Sequence, residues 1–362
     1  MHKHKHHKEP KVLFILRKRA LIFPKINYYS SPGLDNSAKF VSDMLNKAGI
    51  KSLVVDCVDN NGIDKLIHKH KPTHVVIEAL WVVPPKFKIL TKLHPKVKWV
   101  IRIHSDVPFM ASEGIAVEWL MQYLSYDNVS IGFNKESTRQ IFEKLYLTNG
   151  IASEGRIVYL PNYYPTDFSN TKVFQDGEVI KIGCFGAIRP LKNQLIQAMA
   201  AVLYAQETGR RLEYHINGTR LEGQAEGIIK NIRELFKSLT EVATESGDPD
   251  RYKLVEHIWL THEDFMKLVK QMDMALQVSF SETFNIVAAD FVSCGIPTVT
   301  SDEISWVHSL FRAHPTDIND IVKKMYNAEF WKRRFGFIDL NKSGLRHFDK
   351  VSRDHWISWI KA

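Results

Sequence analysis

Glu282 and Asp290 stand eight residues apart in SFSETFNIVAADFVSCGIPTVT (279–300), a stretch that carries no other charged side chain. Carboxylates only accept hydrogen bonds, so each can take a pair of hydroxyl donors. MALQVS reads as a strand, FSET as a loop, and FNIVAADFVSC as a helix closed by Gly295 with Pro297 just beyond. That places Glu282 in the loop at the helix start and Asp290 about 9 Å farther along the axis. Between them lie the first backbone N–H groups of the helix, those of Phe284, Asn285 and Ile286, with Thr283 just before. A helix start binds phosphate through its unpaired N–H groups and its dipole. Carboxylate, anion site and carboxylate in a row match the sugar hydroxyls, diphosphate and ribose of a nucleotide sugar. The plain alternative is a capping Glu followed by an Asp on a solvated helix face.

A second stretch, KIGCFGAIRPLKNQLIQAMAAV (181–202), reads as strand, glycine-containing loop and helix, with Gly186, Arg189, Lys192 and Asn193 at the turn. Two cations three residues apart at a helix start oppose the helix dipole unless an anion is bound there. Arg grips phosphate in two-pronged fashion and Lys adds a point charge, a pairing suited to a diphosphate.

The elements that must position these residues follow from patterning. KVLFIL (11–16), KSLVVDCV (51–58), THVVIEALWV (73–82), VKWVIRIHS (97–105), VSIGF (129–133) and GRIVYLP (155–161) read as strands, with amphipathic helical segments such as SAKFVSDMLNKAG between several of them. Strands that are apolar on both faces and alternate with helices form a parallel sheet covered on two sides. The turn-rich PNYYPTDFSNTKVFQDGEV (161–179) makes a domain connection, after which VIKIGCFGAI, RLEYHINGT, LVEHIWLT, MDMALQVS and IPTVTS repeat the pattern. The expected organisation is an α/β domain over 1–165, a second over 166–335, and C-terminal helices over 336–362 that pack across the junction. Ligands in such open sheets bind beyond the carboxyl ends of the strands.

FGAIRPLKN resembles the G-x-x-x-x-x-K-N/G loop of the retaining GT-B glycosyltransferases of family 4. SETFNIVAADFVSCGIPTVTS resembles that family's E-x7-E motif with its trailing G-x-P-V-V strand, and YHINGT, IWLTHEDFMKLVKQMDMALQVS and VYLPNYYP are similar in order and spacing. The resemblance covers most of 155–310, and 11–150 only in outline. It implies a GT-B fold, two Rossmann-like domains facing each other across a cleft with C-terminal helices crossing back. It also implies transfer of a sugar from a nucleoside diphosphate, a UDP-sugar above all, to an acceptor hydroxyl with retention at the anomeric carbon.

Carried onto this chain, Arg189 and Lys192 hold the donor diphosphate and Glu282 the sugar hydroxyls. Gly186, Asn193, Thr283, Phe284, Asn285 and Ile286 line the donor, and Asp290 holds the ribose. His104, in IRIHSD, lies near the reacting centre, and Gly33, in SSPGLDNSA, occupies the first strand-to-helix loop near the phosphates. Two departures stand out: Asp290 replaces the family's second Glu, one methylene shorter, and Pro32-Gly33 replaces a double glycine. The scheme needs no protein nucleophile, no permanently bound cofactor and no metal. Asp248-Pro249-Asp250 has the D-x-D spacing of metal-dependent transferases but sits in a polar turn without a leading strand.

The net charge of +9 is uneven. Residues 1–110 hold 20 Lys and Arg against 8 Asp and Glu, a surplus of 12. An anionic acceptor for the first domain follows, whether DNA, an acidic lipid surface or a phosphorylated glycan; a merely solvated basic surface is the alternative. Arg17, Lys18, Arg19 and Lys25, interleaved with Phe23, Tyr28 and Tyr29, suit nucleic acid or a membrane surface equally. Two further readings stay open: the same transfer onto hydroxymethylated DNA bases, and a non-catalytic nucleic-acid-binding protein, which leaves Glu282, Asp290, Arg189 and Lys192 without a role. MHKHKHHKEP is a metal-binding histidine run or a mobile charged terminus, and HKHKP (68–72) a solvated basic turn with poor metal spacing. No secretory leader opens the chain, and Cys57, Cys184 and Cys294 are scattered and odd in number, so a cytoplasmic protein with reduced thiols is expected.

Overall fold

The computed structural model describes residues 9–18, 32–151, 153–166, 168, 177–336 and 338–362. The chain divides into two compact units, residues 1–165 with 348–362, and residues 166–347.

The first unit runs β1 (Lys11–Arg17), α1 (Pro32–Lys47), β2 (Lys51–Cys57), α2 (Gly62–His70), β3 (His74–Glu78), α3 (Phe87–Leu93), β4 (Lys98–Ile103), α4 (Val107–Met110), α5 (Ala116–Tyr123), β5 (Val129–Phe133), α6 (Glu136–Thr148) and β6 (Ile157–Tyr159). Its six strands are all parallel, in the order β2-β1-β3-β4-β5-β6. The two-residue period of β1 divides the core: Leu13 and Ile15 pack with α2, α3 and α5 on one face, and Val12, Phe14 and Leu16 with α1 on the other. Both faces are therefore apolar, as continuous runs such as KVLFIL require.

The second unit runs β7 (Val179–Cys184), α7 (Gln194–Glu207), β8 (Arg211–Ile216), α8 (Glu226–Glu245), β9 (Tyr252–Glu256), α9 (His262–Val269), β10 (Met274–Gln277), α10 (Ile286–Ser293), β11 (Thr298–Ser301), β12 (Arg312–Ala313), α11 (Ile318–Phe335) and α12 (Leu340–Lys361). Its order, β12-β11-β10-β7-β8-β9, is again all parallel. This is the doubly wound dinucleotide-binding order, and it reverses direction between β7 and β10. In the first unit the reversal falls between β1 and β3.

α12 runs past the division at 347/348, and its later residues belong to the first unit. There Trp356 donates to the Pro161 carbonyl at 2.9 Å, packs on Phe14, and lies under the Arg102 guanidinium at 5.1 Å. The three cysteines are buried free thiols. Among the described residues no helix is long and apolar enough to cross a membrane.

Candidate active site

At the reversal point of the second sheet, the loops after β7 and β10 leave side by side and carry Arg189, Lys192 and Glu282, while Asp290 lies farther on, in α10. The β7 loop turns at Gly186, whose φ of +116° disfavours any side chain; its N–H donates to Asn217 Oδ1 at 2.9 Å. Arg189 is extended and opens a tight 3-10 turn over Pro190–Lys192. Asn193 then takes a left-handed conformation, φ +59°, before α7 begins at Gln194.

The two loops are stitched together. The Asn193 amide donates to the Val278 carbonyl at 3.0 Å and the Pro315 carbonyl at 2.7 Å. Gln197 accepts from the Val278 N–H at 2.7 Å and donates to the Lys192 carbonyl at 2.8 Å, while the Phe280 N–H donates to the Leu191 carbonyl at 2.9 Å. Asn193, read as a donor-binding residue, thus spends its side-chain donors on shaping the loops.

Glu282 is 8% exposed, and its Oε1 collects three donors: the Lys192 ammonium, the Ser279 hydroxyl at 2.8 Å and the Asn285 amide at 3.0 Å. Oε2 receives no hydrogen bond among the described residues. Lys192 and Glu282, assigned from sequence to different parts of a ligand, are in direct contact. Asn285 (φ +66°) also donates to Gln277 Oε1 at 3.0 Å and accepts from the Ala288 N–H at 2.8 Å. It is the N-cap of α10, so the helix begins at Ile286, two residues later than the sequence reading, and the cap takes up the Ala288 N–H of the first turn. Phe284 is buried, its carbonyl accepting from Trp306 Nε1 at 3.0 Å. Thr283 is half-buried beside it.

Asp290 lies on the buried face of α10, 1% exposed, rather than on a solvated one. His262, the first residue of α9, points Nε2 at its Oδ1 from 2.8 Å and keeps about a third of its own side chain exposed. Donating a hydrogen bond to the Asp290 carboxylate raises the imidazole above its ordinary value. Arg189 lies 3.5 Å from Glu222, which also holds Arg220 at 2.7 Å; Arg220 in turn covers the Trp259 ring at 4.3 Å.

In the first unit His104 follows β4 and meets Glu78, the last residue of β3, at 2.5 Å through Nε2. Glu78 is also bound by Arg102 at 3.1 Å, and both are fully buried. Arg102 spends its remaining donors on Ser37 (3.1 Å), Asn162 (2.7 Å) and the carbonyls of Leu160 and Pro161 (3.0 Å each). Burial opposes the charge on Glu78, but Arg102 and His104 outweigh it and hold the carboxyl below the usual range. Burial first, and Arg102 second, push His104 below the ordinary imidazole value, which favours the neutral ring. A neutral ring donating from Nε2 to Glu78 has Nδ1 as its acceptor nitrogen.

Gly33 falls in the exposed first turn of α1, which starts at Pro32, and not in a loop before it; proline suits that first position because its missing N–H has no helical partner anyway. Arg17 is exposed at the end of β1, and the charge of Lys18 is paired with Asp56 at 3.3 Å. Arg19 and Lys25 lie outside the described residues. Sequence reasoning passed over Glu78, Arg102 and His262. Two of these had a signal: a charge in the apolar runs VVIE and WVIRI has to find a partner when buried.

No protein-family model and no curated protein matches the sequence. Solved structures do match. One from E. coli, described as trehalose-6-phosphate bound with UDP-2-fluoro glucose, superposes with a TM-score of 0.66 over 97% of this chain and 99% of that one, at 11% identity. An α,α-trehalose 6-phosphate synthase from Burkholderia multivorans gives 0.65 over 98% of both chains at 12% identity. A trehalose-6-phosphate synthase structure from work on glycosyl transfer with retention, using bisubstrate glycomimetics, gives 0.64 over 97% and 99% at 12% identity. The likeness runs nearly end to end in both units and establishes the fold expected from the sequence, the α/β architecture called GT-B.

Proposed function

We propose that this protein is a nucleotide-sugar-dependent glycosyltransferase that acts with retention. The observation that carries the reading is the Lys192–Glu282 contact at the reversal point of the β7–β10 sheet, where open α/β sheets bind nucleotides. The donor is a UDP-sugar, the nucleotide named for the E. coli neighbour.

In this reading Glu282 takes a sugar hydroxyl on Oε2, its other oxygen being held by Lys192, Ser279 and Asn285. Lys192, Arg189 and the start of α10 face the diphosphate. The C1–O bond to the diphosphate breaks, a C1–O bond to the acceptor forms on the same face, and the acceptor proton passes to the leaving diphosphate. Stabilisation of the charge gathering on that diphosphate is then the main catalytic term. Asp290, too deep and too short to reach a ribose well, acts through His262, whose exposed edge meets the ribose hydroxyls.

Within the first unit His104 is oriented by Glu78, and that unit takes the acceptor. A phosphorylated sugar fits its basic surplus, and trehalose phosphate is the product named for the neighbours. Transfer onto DNA bases, contact with a lipid surface and non-catalytic nucleic-acid binding receive no support from these likenesses. The test is a thermal-shift screen of nucleotide sugars, because a ligand that binds the folded state raises the melting temperature by mass action. A rise with UDP-sugars supports the reading; none with any nucleotide sugar or nucleoside diphosphate defeats it.

A further inference from the structure

Asp64, His68 and His94 gather their ligand atoms within 4.8 Å of one another in the first unit, on residues for which sugar transfer has no use. Asp64 and His68 are four residues apart in α2 and so share one face of that helix. His94 arrives from elsewhere, as the C-cap just after α3.

Both imidazoles converge on the same oxygen: His94 Nε2 lies 2.7 Å and His68 Nε2 3.5 Å from Asp64 Oδ1. Ligand atoms at about 2.0–2.2 Å from a tetrahedral zinc are separated by roughly 3.3 Å, so these distances bracket the spacing an ion needs. His94 is the fixed member, 9% exposed, with its ring edge-on to His68 at 5.1 Å and tilted against Trp99 at 6.5 Å. His68, at 72% exposed, is free to adjust its rotamer and close the set. The basic turn read at 68–72 is in fact the end of α2 and the two residues after it, and the relevant spacing is not His68 to His70 but Asp64 to His68.

We propose that Asp64, His68 and His94 form a binding site for a zinc-class divalent cation, with water in the fourth position. Two imidazoles and one carboxylate suit zinc and its borderline neighbours and do not suit calcium or magnesium, which take oxygen ligands. The bound ion ties α2 to the end of α3. It stabilises the folded chain independently of any donor sugar, because it binds the folded state and not the unfolded one.

The terminal histidines His2, His4, His6 and His7 offer zinc competing ligands, so the test uses the full chain with those four replaced by alanine. Calorimetric titration with zinc is expected to show one equivalent bound, with a rise in melting temperature on loading. His68→Ala, at an exposed position that leaves the fold intact, and Asp64→Asn are each expected to weaken binding about tenfold or more. His70→Ala, on the same helix but outside the trio, is expected to bind as the parent does. If the parent takes up no zinc, or if His68→Ala binds it as tightly as the parent, the site does not exist.

Discussion

Lys192 and Glu282 lie 90 residues apart in sequence and meet as an ion pair, 13% and 8% exposed, that joins the loop after β7 to the loop after β10. Neither loop has a reason to bury a charge for folding alone, since a buried ion pair rarely stabilises more than apolar packing would. In the transfer reading the pair is a preassembled donor site. Lys192→Ala is therefore expected to lower kcat by about 10²- to 10³-fold, the usual cost of removing one preorganised charge-stabilising group. Steady-state kinetics with a UDP-sugar measure this, and a change confined to KM assigns Lys192 to ground-state binding only.

Glu282→Gln keeps the side chain's shape and one acceptor oxygen, so the contacts of Ser279 and Asn285 have a route to survive. Its expected effect is selective. Affinity for the intact UDP-sugar drops about tenfold, while affinity for UDP stays within about twofold, because Glu282 meets only the sugar. Calorimetry with the two ligands makes the comparison, and an equal loss for both places Glu282 on the phosphates instead.

The Asp290–His262 pair gives a signed pH dependence. His262 is raised above its ordinary value in the folded chain, so its contribution to stability is complete below about pH 6.5 and is lost as pH rises through the folded value. His262→Ala should lower the melting temperature more at pH 6 than at pH 9. Asp290→Glu restores the reach of the longer carboxylate and displaces His262. Tighter UDP binding in that variant indicates that the carboxylate can serve the ribose directly, and weaker binding that His262 does.

Glu78→Gln leaves the guanidinium of Arg102 fully buried without its counter-charge, and removing one partner of such a pair costs about 3–5 kcal/mol. The Glu78 carboxyl is held low, so its contribution is present above about pH 4.3 and is lost as pH falls through the folded value. Denaturant melts of wild type and variant should differ strongly at pH 7 and converge under acid. A variant as stable as wild type at pH 7 removes Glu78 from its role in holding Arg102 and His104.

Asp349, on α12, accepts from the Tyr164 N–H at 2.9 Å through one oxygen, and the other has no partner among the described residues. Burial pushes its carboxyl up to about 8. A raised folded value means stability that is complete below about pH 4 and is lost progressively as pH rises to about 8. Asp349→Asn should flatten the melting temperature across that window and leave the variant the more stable protein at pH 9. An unchanged slope shows that Asp349 does not titrate there.

The first sheet was legible in the sequence because its strands are apolar on both faces. VSIGF appears residue for residue as β5, and KVLFIL one residue longer as β1. β12 was missed because two residues carry no period. At the site, residue types were legible and partners were not. Arg189, Lys192, Glu282 and Asp290 announced themselves as charges near helix starts, but their charged partners Glu222, Glu282, Lys192 and His262 lie 28 to 90 residues away. The sequence assigns Asn285 to a ligand through its backbone N–H at a helix start and Asn193 through its place in the K-N loop. Their positive φ angles, tolerated by asparagine more than by most residues, and their buried amide bonds make them the loop-shaping residues. Gly33 was displaced by a helix that begins at Pro32, since proline reads equally as a turn or as a first helical residue.

In the transfer reading the Lys192–Glu282 pair is the donor site of a glycosyltransferase. Its most direct test is release of UDP from a UDP-sugar, followed by coupled assay in wild type, Lys192→Ala and Glu282→Gln, each checked for native melting behaviour. Wild type is expected to release UDP slowly without acceptor and faster with a phosphorylated sugar, and Lys192→Ala to lose about 10²-fold or more. Release by the Lys192→Ala variant at the wild-type rate would contradict that reading.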